Sequence, residues 1–510
     1  MLDYYLAGFC LRAAQILVDS ATWIAFGFFV AAIMKRMIGP EKIRVLFGSG
    51  RFYGVLIGWA AGMLLPVCSL GAIPVVRELH RARVRGGTII AFGLTAPLFN
   101  PLSVLYGLTL SDPIAIIIFT FSALVIVSVL GIVWDRFHSI EPPTTQMEDV
   151  PKDGLKRSAA VVYSATVETS SRSFFYILIG IACSTTLATL TPHGLLQTSA
   201  EPDKVFAPTF MAFFVTPIYS TPVQVMSQIG SMFQHGNSIG AAFSLLILGA
   251  GTNIGLLFAF GSMLGFKRLL VFLLMLWGIT IGIAYALDKP LYPKGVSSAG
   301  HTHAFDVYTH PYPGSRGEML KTAVADVEDY RTKKDFGATY LLGAMFLVGL
   351  ILRFTGRFVD FEAWFKQTAE KKNAALEVII PAWVIGLIAC VALIAMSIAG
   401  AFLYYPPANE LLEDLFAVNT NCVVAAKTKE YDAAQKWILY CDDLSRRLEV
   451  GEFMRHGKVS KFQSAKAKVY REALDELRHA IEDGDEETIK EFAQAVSRAY
   501  MQMSKAFKKK

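Results

Sequence analysis

Two short segments of this chain set polar side chains beside prolines inside otherwise apolar sequence. The first reads Pro66-Val67-Cys68-Ser69 and the second Pro217-Ile218-Tyr219-Ser220. Cys68 offers a soft sulfur donor of the kind that suits soft metal ions. Ser69, Tyr219, Ser220 and Thr252 supply hydroxyls, and Asn100 and Asn253 both donate and accept hydrogen bonds. Polar groups are costly in an apolar environment unless paired. These side chains are therefore expected either to satisfy backbone freed at the opposite segment or to face a substrate, and the two roles are compatible. Pro66, Pro74, Pro97, Pro217 and Pro222 each remove a backbone donor and interrupt a helix ladder. A carboxylate within an apolar stretch is a functional candidate by default. Asp19 is the main one here, with an interfacial position near the outer end of its helix as the plain alternative.

Two further groups could do chemistry outside the apolar blocks. His301, His303 and His310, with Asp306, fall within ten residues, and histidine and carboxylate are usual ligands of zinc and copper. The spacing matches no zinc motif, and a solvated turn around Pro311 and Pro313 is the competing reading. Cys422 and Cys441 are expected on neighbouring helices, where an oxidising compartment would allow a disulfide. No phosphate-binding loop, nucleotide-binding domain or nucleophile–base pair occurs in the sequence. An enzyme, a cofactor and ATP-driven pumping within this chain are therefore not expected.

The elements that must position these groups are membrane helices. Of 510 residues 54% are apolar and only 18% charged, against about 25% charged in ordinary soluble chains. That composition excludes a disordered chain, a collagen-like fibre and a disulfide scaffold. A net charge of +6 calls for no nucleic-acid partner. A bilayer core needs roughly 20 apolar residues per helix, and such spans are expected near 14–34, 87–110, 113–134, 173–191, 239–263, 268–287, 338–354 and 376–404. Two more apolar stretches, near 53–76 and 208–232, are broken by proline. In hydrocarbon such backbone survives only where protein buries it or a cavity adjoins it.

Basic residues set the direction of each stretch. Lys35, Arg36, Lys42, Arg44 and Arg51 precede the first broken stretch, and Arg77, Arg81, Arg83 and Arg85 follow it. A re-entrant hairpin keeps both clusters inside, whereas a full crossing exports one of them. The expectation is an outside N-terminus, two re-entrant hairpins and eight full crossings in the inner cell membrane, with ten plain crossings as the alternative. Parity then puts the C-terminal region on the outer, periplasmic side.

The two halves repeat. Gly87 precedes Asn100 by 13 residues, as Gly240 precedes Asn253; Gly27 and Gly180 are offset by 153, and Pro66 and Pro217 by 151. Under the hairpin reading the halves cross in opposite senses, which makes an inverted repeat, an arrangement that places transport sites near the midplane at broken helices. Small residues that merely permit close helix packing are the alternative.

At Pro66-Val67-Cys68-Ser69-Leu70-Gly71-Ala72-Ile73-Pro74-Val75, Ala96-Pro97-Leu98-Phe99-Asn100-Pro101 and Gly249-Ala250-Gly251-Thr252-Asn253 the sequence resembles the ArsP-type predicted permeases, over about residues 14–287. The resemblance implies a permease that exports trivalent organoarsenicals or handles metal ions. The family often reads Cys-Ser-Cys, whereas here Leu70 follows Ser69, so one thiol remains at the break; Cys183 is the candidate second donor.

The expected organisation is all-α: a first permease repeat (1–135), a cytoplasmic linker (136–172), a second repeat (173–287), a polar loop (288–337), two added membrane helices (338–404) and a soluble helical domain (405–510). The tail's apolar residues follow helical spacing, with helices near 461–482 and 486–506 divided at Gly484. Its 18 basic and 18 acidic side chains show no bias toward nucleic acid. The leading reading is a secondary-type exporter of a small solute, its pathway between the two hairpins. The alternative is a membrane-anchored scaffold or sensor with a degenerate permease core. Expected partners are the lipid bilayer, the solute, and a second copy or another protein held by the tail.

Overall fold

The computed structural model describes residues 2–48, 51–99, 101–137, 154–293, 305–311, 336–356 and 382–508. Among them every regular element is helical. The chain divides into two compact units, Met1–Val104 with Ile114–Ser397, and Leu105–Pro113 with Ile398–Lys510.

In the first unit, α1 (Leu2–Ile33) is about 48 Å long at 1.5 Å per residue and runs into a π-helical turn, Met34–Ile38. There follow α2 (Pro40–Leu46), α3 (Arg51–Leu64), α4 (Ala72–Arg81), α5 (Gly86–Thr95), α6 (Pro101–Leu110), whose later residues belong to the second unit, and α7 (Pro113–Phe137). The next stretch carries α8 (Gly154–Glu168), α9 (Arg172–Leu190), α10 (Leu195–Ser199), α11 (Ala207–Val215), α12 (Pro222–Gln234), α13 (Ile239–Ser244), a π-helical turn Leu245–Ala250, α14 (Ile254–Leu264) and α15 (Phe266–Asp288). Later come α16 (Phe336–Thr355) and α17 (Ala382–Tyr404), whose residues from Ile398 onward belong to the second unit.

Among the described residues, five helices are long and apolar enough to cross a bilayer: 3–38, 113–137, 172–190, 266–288 and 336–355. They coincide with five of the expected spans. Ile117, Phe121, Leu270, Leu274, Leu347 and Ile351 are exposed on them. Apolar surface on that scale would be a liability in water and suits lipid. The chain is a multi-pass membrane protein.

Two expected spans need correction. Residues 87–110 and 239–263 were expected to be unbroken, and both are interrupted. α5 stops at Thr95 and α6 restarts at Pro101, because Pro97 and Pro101 supply no N–H to a continuous ladder. Ile239–Ala250 and Ile254–Leu264 are bent by 58°, where the Asn253 side chain accepts the Leu256 N–H at 2.9 Å and begins a new helix. The core thus holds four broken segments where two were expected: α3–α4, α5–α6, α11–α12 and α13–α14.

Backbone contact ties these pieces together. α1 packs on α4 and α9, and α14 packs on α4 and α9. A Cβ on Gly27 of α1 would lie 2.0 Å from the Gly71 carbonyl oxygen, and one on Gly71 would lie 2.4 Å from the Trp23 carbonyl oxygen. Only two glycines allow this approach, in the manner of small-residue helix interfaces in membranes.

The second unit contains four consecutive helices, α18 (Ala408–Lys427), α19 (Tyr431–His456), α20 (Lys461–Asp483) and α21 (Glu486–Phe507). Leu415, Ile438, Leu474, Leu477, Ile489 and Val496 fill their shared core. Ser460 and Gln463 form a capping box at the start of α20. Gly484 ends that helix in the left-handed region with φ 74°. Two polar pairs sit in this core: Tyr470 donates to Asn419 Oδ1 at 2.9 Å, and Arg471 meets Glu449 at 2.5 Å. Cys422 and Cys441 are buried free thiols that touch each other across α18 and α19.

Candidate functional site

The four helix breaks meet. Thr252 Oγ1 donates to the Thr216 carbonyl at 3.0 Å, and the Ile254 N–H reaches the Pro217 carbonyl at 3.4 Å. These contacts join the α11–α12 break to the α13–α14 break. A Cβ on Gly251 would lie 3.1 Å from Leu98, which brings in the α5–α6 break. A Cβ on Gly180 of α9 would lie 2.8 Å from Leu70 and 2.9 Å from Asn253 Oδ1, which brings in the α3–α4 break. Proline and capping explain the local chain. Pro222 opens α12 at a position where no N–H is needed, and Thr221 caps that helix through the Gln224 N–H at 3.3 Å.

Polar atoms collect at this meeting point. Ser69 Oγ, Thr185 Oγ1, Tyr219 Oη, Gln228 Nε2 and Asn253 Nδ2 are buried with no hydrogen-bond partner among the described residues. Each such group costs about 1–3 kcal/mol, and a cluster of them calls for an explanation beyond packing. Cys68 is fully buried, and its sulfur accepts the Gly71 N–H at 3.3 Å. The side chain facing this thiol is Tyr219. Its hydroxyl approaches Cys68 and Ser20 without reaching hydrogen-bond geometry, and Asp19 acts on it from α1. The Tyr219 N–H donates to Ser184 Oγ of α9 at 3.1 Å.

Two sets of contacts lie to either side along the chain. In the first, residues 305–311 carry buried Phe305, Tyr308, Thr309 and His310. The Tyr308 hydroxyl donates to Gln228 Oε1 at 2.8 Å and shares a hydrogen bond with Ser220 Oγ. Burial pushes the Tyr308 phenol up to about 12, so it stays protonated at neutral pH although both neighbours favour the ionised form. In the second, Arg77 and Arg81 of α4 reach Glu168, at the end of α8, at 2.8 Å and 3.4 Å. Ser171 and Ser173 also donate to Glu168, each at 2.8 Å. Burial raises the Glu168 carboxyl, but Arg81 and Arg77 outweigh it and hold the group below the usual carboxylate range.

Of the residues singled out from the sequence, Pro66, Cys68, Ser69, Pro97, Pro217, Tyr219, Ser220, Thr252 and Asn253 sit at the breaks. Pro74 lies in the first turn of α4, and Pro222 opens α12. Asp19 is half-buried beside Ser20. Asn100, His301 and His303 lie outside the described residues. His310 is stacked on Tyr4, ring centroids 4.1 Å apart. No group of three metal-ligating side chains forms among the described residues. Cys183 is half-buried on α9. Sequence reasoning passed over Gln228, Ser184, Tyr308 and Glu168. For Tyr308 the sequence offered little signal, because residues 288–337 also carry Tyr292, Phe305, Tyr312, Tyr330 and Phe336.

Residues 6–288 match the model of a family described as a predicted permease, ArsP_1. The match covers α1 through α15 and all four breaks. The chain belongs to this permease family. UPF0718 protein YcgR of Bacillus subtilis (strain 168) is 25% identical over 283 residues, which are 54% of this chain and 94% of that protein. A Streptococcus mutans protein named as a subunit of a two-component membrane permease complex is 24% identical over 88 residues, 17% of this chain and 29% of its own length. No solved structure matches. Membership in a permease family points to a transporter rather than an enzyme.

Proposed function

We propose that this permease is a secondary-type exporter of a small solute such as an organoarsenical or metal ion, and that its pathway runs between the two proline-broken hairpins α3–α4 and α11–α12. The convergence of four helix breaks on buried, partnerless polar atoms carries this reading. A closed structural core would pair those atoms, whereas a transport site leaves them for cargo. α1, α3–α4, α5–α6 and α7 correspond in order to α9, α11–α12, α13–α14 and α15, which supports two inverted copies that rock about the shared centre. Residues 305–311 close the outer side, and the Arg77–Glu168–Arg81 network closes the inner side, so the described arrangement corresponds to an occluded state.

Cys68 offers one soft donor, with Tyr219 and Ser69 as oxygen neighbours. That set suits a soft, weakly hydrated species better than a hard divalent cation. The second unit would bind a partner or another copy, a reading supported by the relative named as a permease complex subunit.

Inverted membrane vesicles loaded with a panel of arsenicals and divalent metals test the proposal. Movement of one solute, abolished in Cys68→Ala and Asn253→Ala, is the expected result. Saturable binding without movement for any solute would replace the exporter with a membrane-anchored sensor.

A further inference from the structure

The segment 305–311 lies beyond residue 288, where the family match ends, yet it reaches the centre of the family core. It is held from several sides. The His310 N–H donates to the Thr191 carbonyl at 2.9 Å. Arg12 donates to the Asp306 carbonyl at 2.6 Å and the Thr309 carbonyl at 2.9 Å. Gln197 Nε2 reaches Asp306 Oδ1 at 3.4 Å, and the His310 ring stacks on Tyr4. From that frame the Tyr308 ring descends to Ser220 and Gln228.

We propose that Ser220 and Gln228 form a cargo subsite for an uncharged, hydroxyl-bearing group, and that Tyr308 fills this subsite from within the chain until cargo displaces it. The proposal rests on the permease reading and adds to it the class of group recognised.

The chemistry follows from the donors and acceptors present. Gln228 Oε1 requires a donor, which Tyr308 supplies at 2.8 Å. Gln228 Nε2 is a donor in a residue only 4% exposed, and it has no acceptor among the described residues. Ser220 Oγ can do either. A hydroxyl both donates and accepts, so it replaces Tyr308 bond for bond, and a second acceptor on the same cargo would take up the open Nε2–H as well. A carboxylate or phosphate would set lone pairs against Gln228 Oε1. Ser69, Tyr219, Ser220 and Gln228 carry no formal charge with which to offset it, and a buried unpaired charge is far costlier than a buried hydroxyl. The segment is held by hydrogen bonds, several of them from the Arg12 guanidinium, by ring stacking and by the burial of Phe305 and Tyr308, so cargo must compete with their sum to release it.

Two measurements on the full-length protein in detergent test this, with p-cresol and toluene as probes. In wild type, saturating p-cresol should raise amide hydrogen exchange of residues 305–311 several-fold and toluene should not. No change with p-cresol, or an equal change with toluene, would overturn the proposal. In Tyr308→Gly, which removes the phenol, p-cresol should bind about tenfold more tightly than toluene, the factor expected for one net hydrogen bond. Adding Gln228→Leu should erase that preference. Equal affinities in Tyr308→Gly, or no binding by a variant that keeps wild-type helix content, would sink the idea. The exchange measurement on wild type stands if Tyr308→Gly does not fold. Neither arm reads solute movement. Failure of transport in vesicles therefore leaves the subsite result in place, and loss of p-cresol selectivity leaves the permease reading in place.

Discussion

Gly27→Ala tests whether α1 is locked to the first helix break by backbone contact. The new methyl carbon would lie 2.0 Å from the Gly71 carbonyl oxygen, 2.8 Å from its carbonyl carbon and 3.0 Å from its Cα. A carbon–oxygen contact needs about 3.3 Å, so the two segments must separate by about 1.3 Å. All three atoms are backbone, and no flexible side chain can give way. Overpacking of this kind costs about 1–3 kcal/mol, and in lipid no hydrophobic gain offsets it. The matched control is Gly282→Ala on α15, where nothing lies within 4 Å of the added carbon. That change should be neutral or stabilise by up to about 1 kcal/mol through helix propensity. The two variants should thus differ by roughly 1–4 kcal/mol in denaturant titrations in mixed micelles, followed by tryptophan fluorescence. Transport should be lost with the α1–Gly71 contact. Equal unfolding midpoints for Gly27→Ala and Gly282→Ala would refute the close-contact argument.

Three further outcomes are expected. Glu168→Gln should loosen the Arg77–Arg81 network. Because the native carboxyl is held below its usual range, its contribution is present above the ordinary carboxylate pKa of about 4.3. It disappears as pH falls through the depressed native value. The gap between wild type and Glu168→Gln in thermal midpoint should therefore stay constant from neutral pH to about pH 5 and close below it; a gap that widens in acid would contradict the assignment. In the second unit, Arg471→Met alone should destabilise by about 3–5 kcal/mol by leaving Glu449 buried without its partner. Adding Glu449→Leu should recover most of that loss in the same unfolding assay. For topology, a reporter fused after Lys510 should read as external; an oxidising compartment there would let Cys422 and Cys441, neighbouring free thiols in this structure, close a disulfide and so resist alkylation in the denatured, unreduced protein. A cytoplasmic reporter signal would reverse the predicted orientation, and full alkylation of both residues would rule out a bridge.

Much of the candidate site was legible because proline and asparagine act on the chain locally. Pro66, Pro217 and Pro222 cannot extend a helix ladder whatever surrounds them, so their segments announced a break before any packing was known. The breaks at Pro97 and Thr252 were harder to see. They lie inside long apolar runs, and hydropathy alone does not separate a continuous span from two short helices meeting end to end. Asn253 falls within the expected span 239–263, yet as the N-cap of α14 it starts a new helix there.

Composition and periodicity alone determined that the chain is an all-helical membrane protein, where five of its apolar spans lie, and that helices near 461–482 and 486–506 are divided at Gly484. Each of these follows from hydrophobic period and chain conformation within a window of about 20 residues. Only the tertiary structure decided that Tyr219 faces Cys68, that Arg77 bonds Glu168 and that Tyr308 reaches Gln228. Those partners are 80 to 151 positions apart in the sequence. No local preference encodes such pairings; they arise only once glycine-sized gaps let the broken helices close on one another.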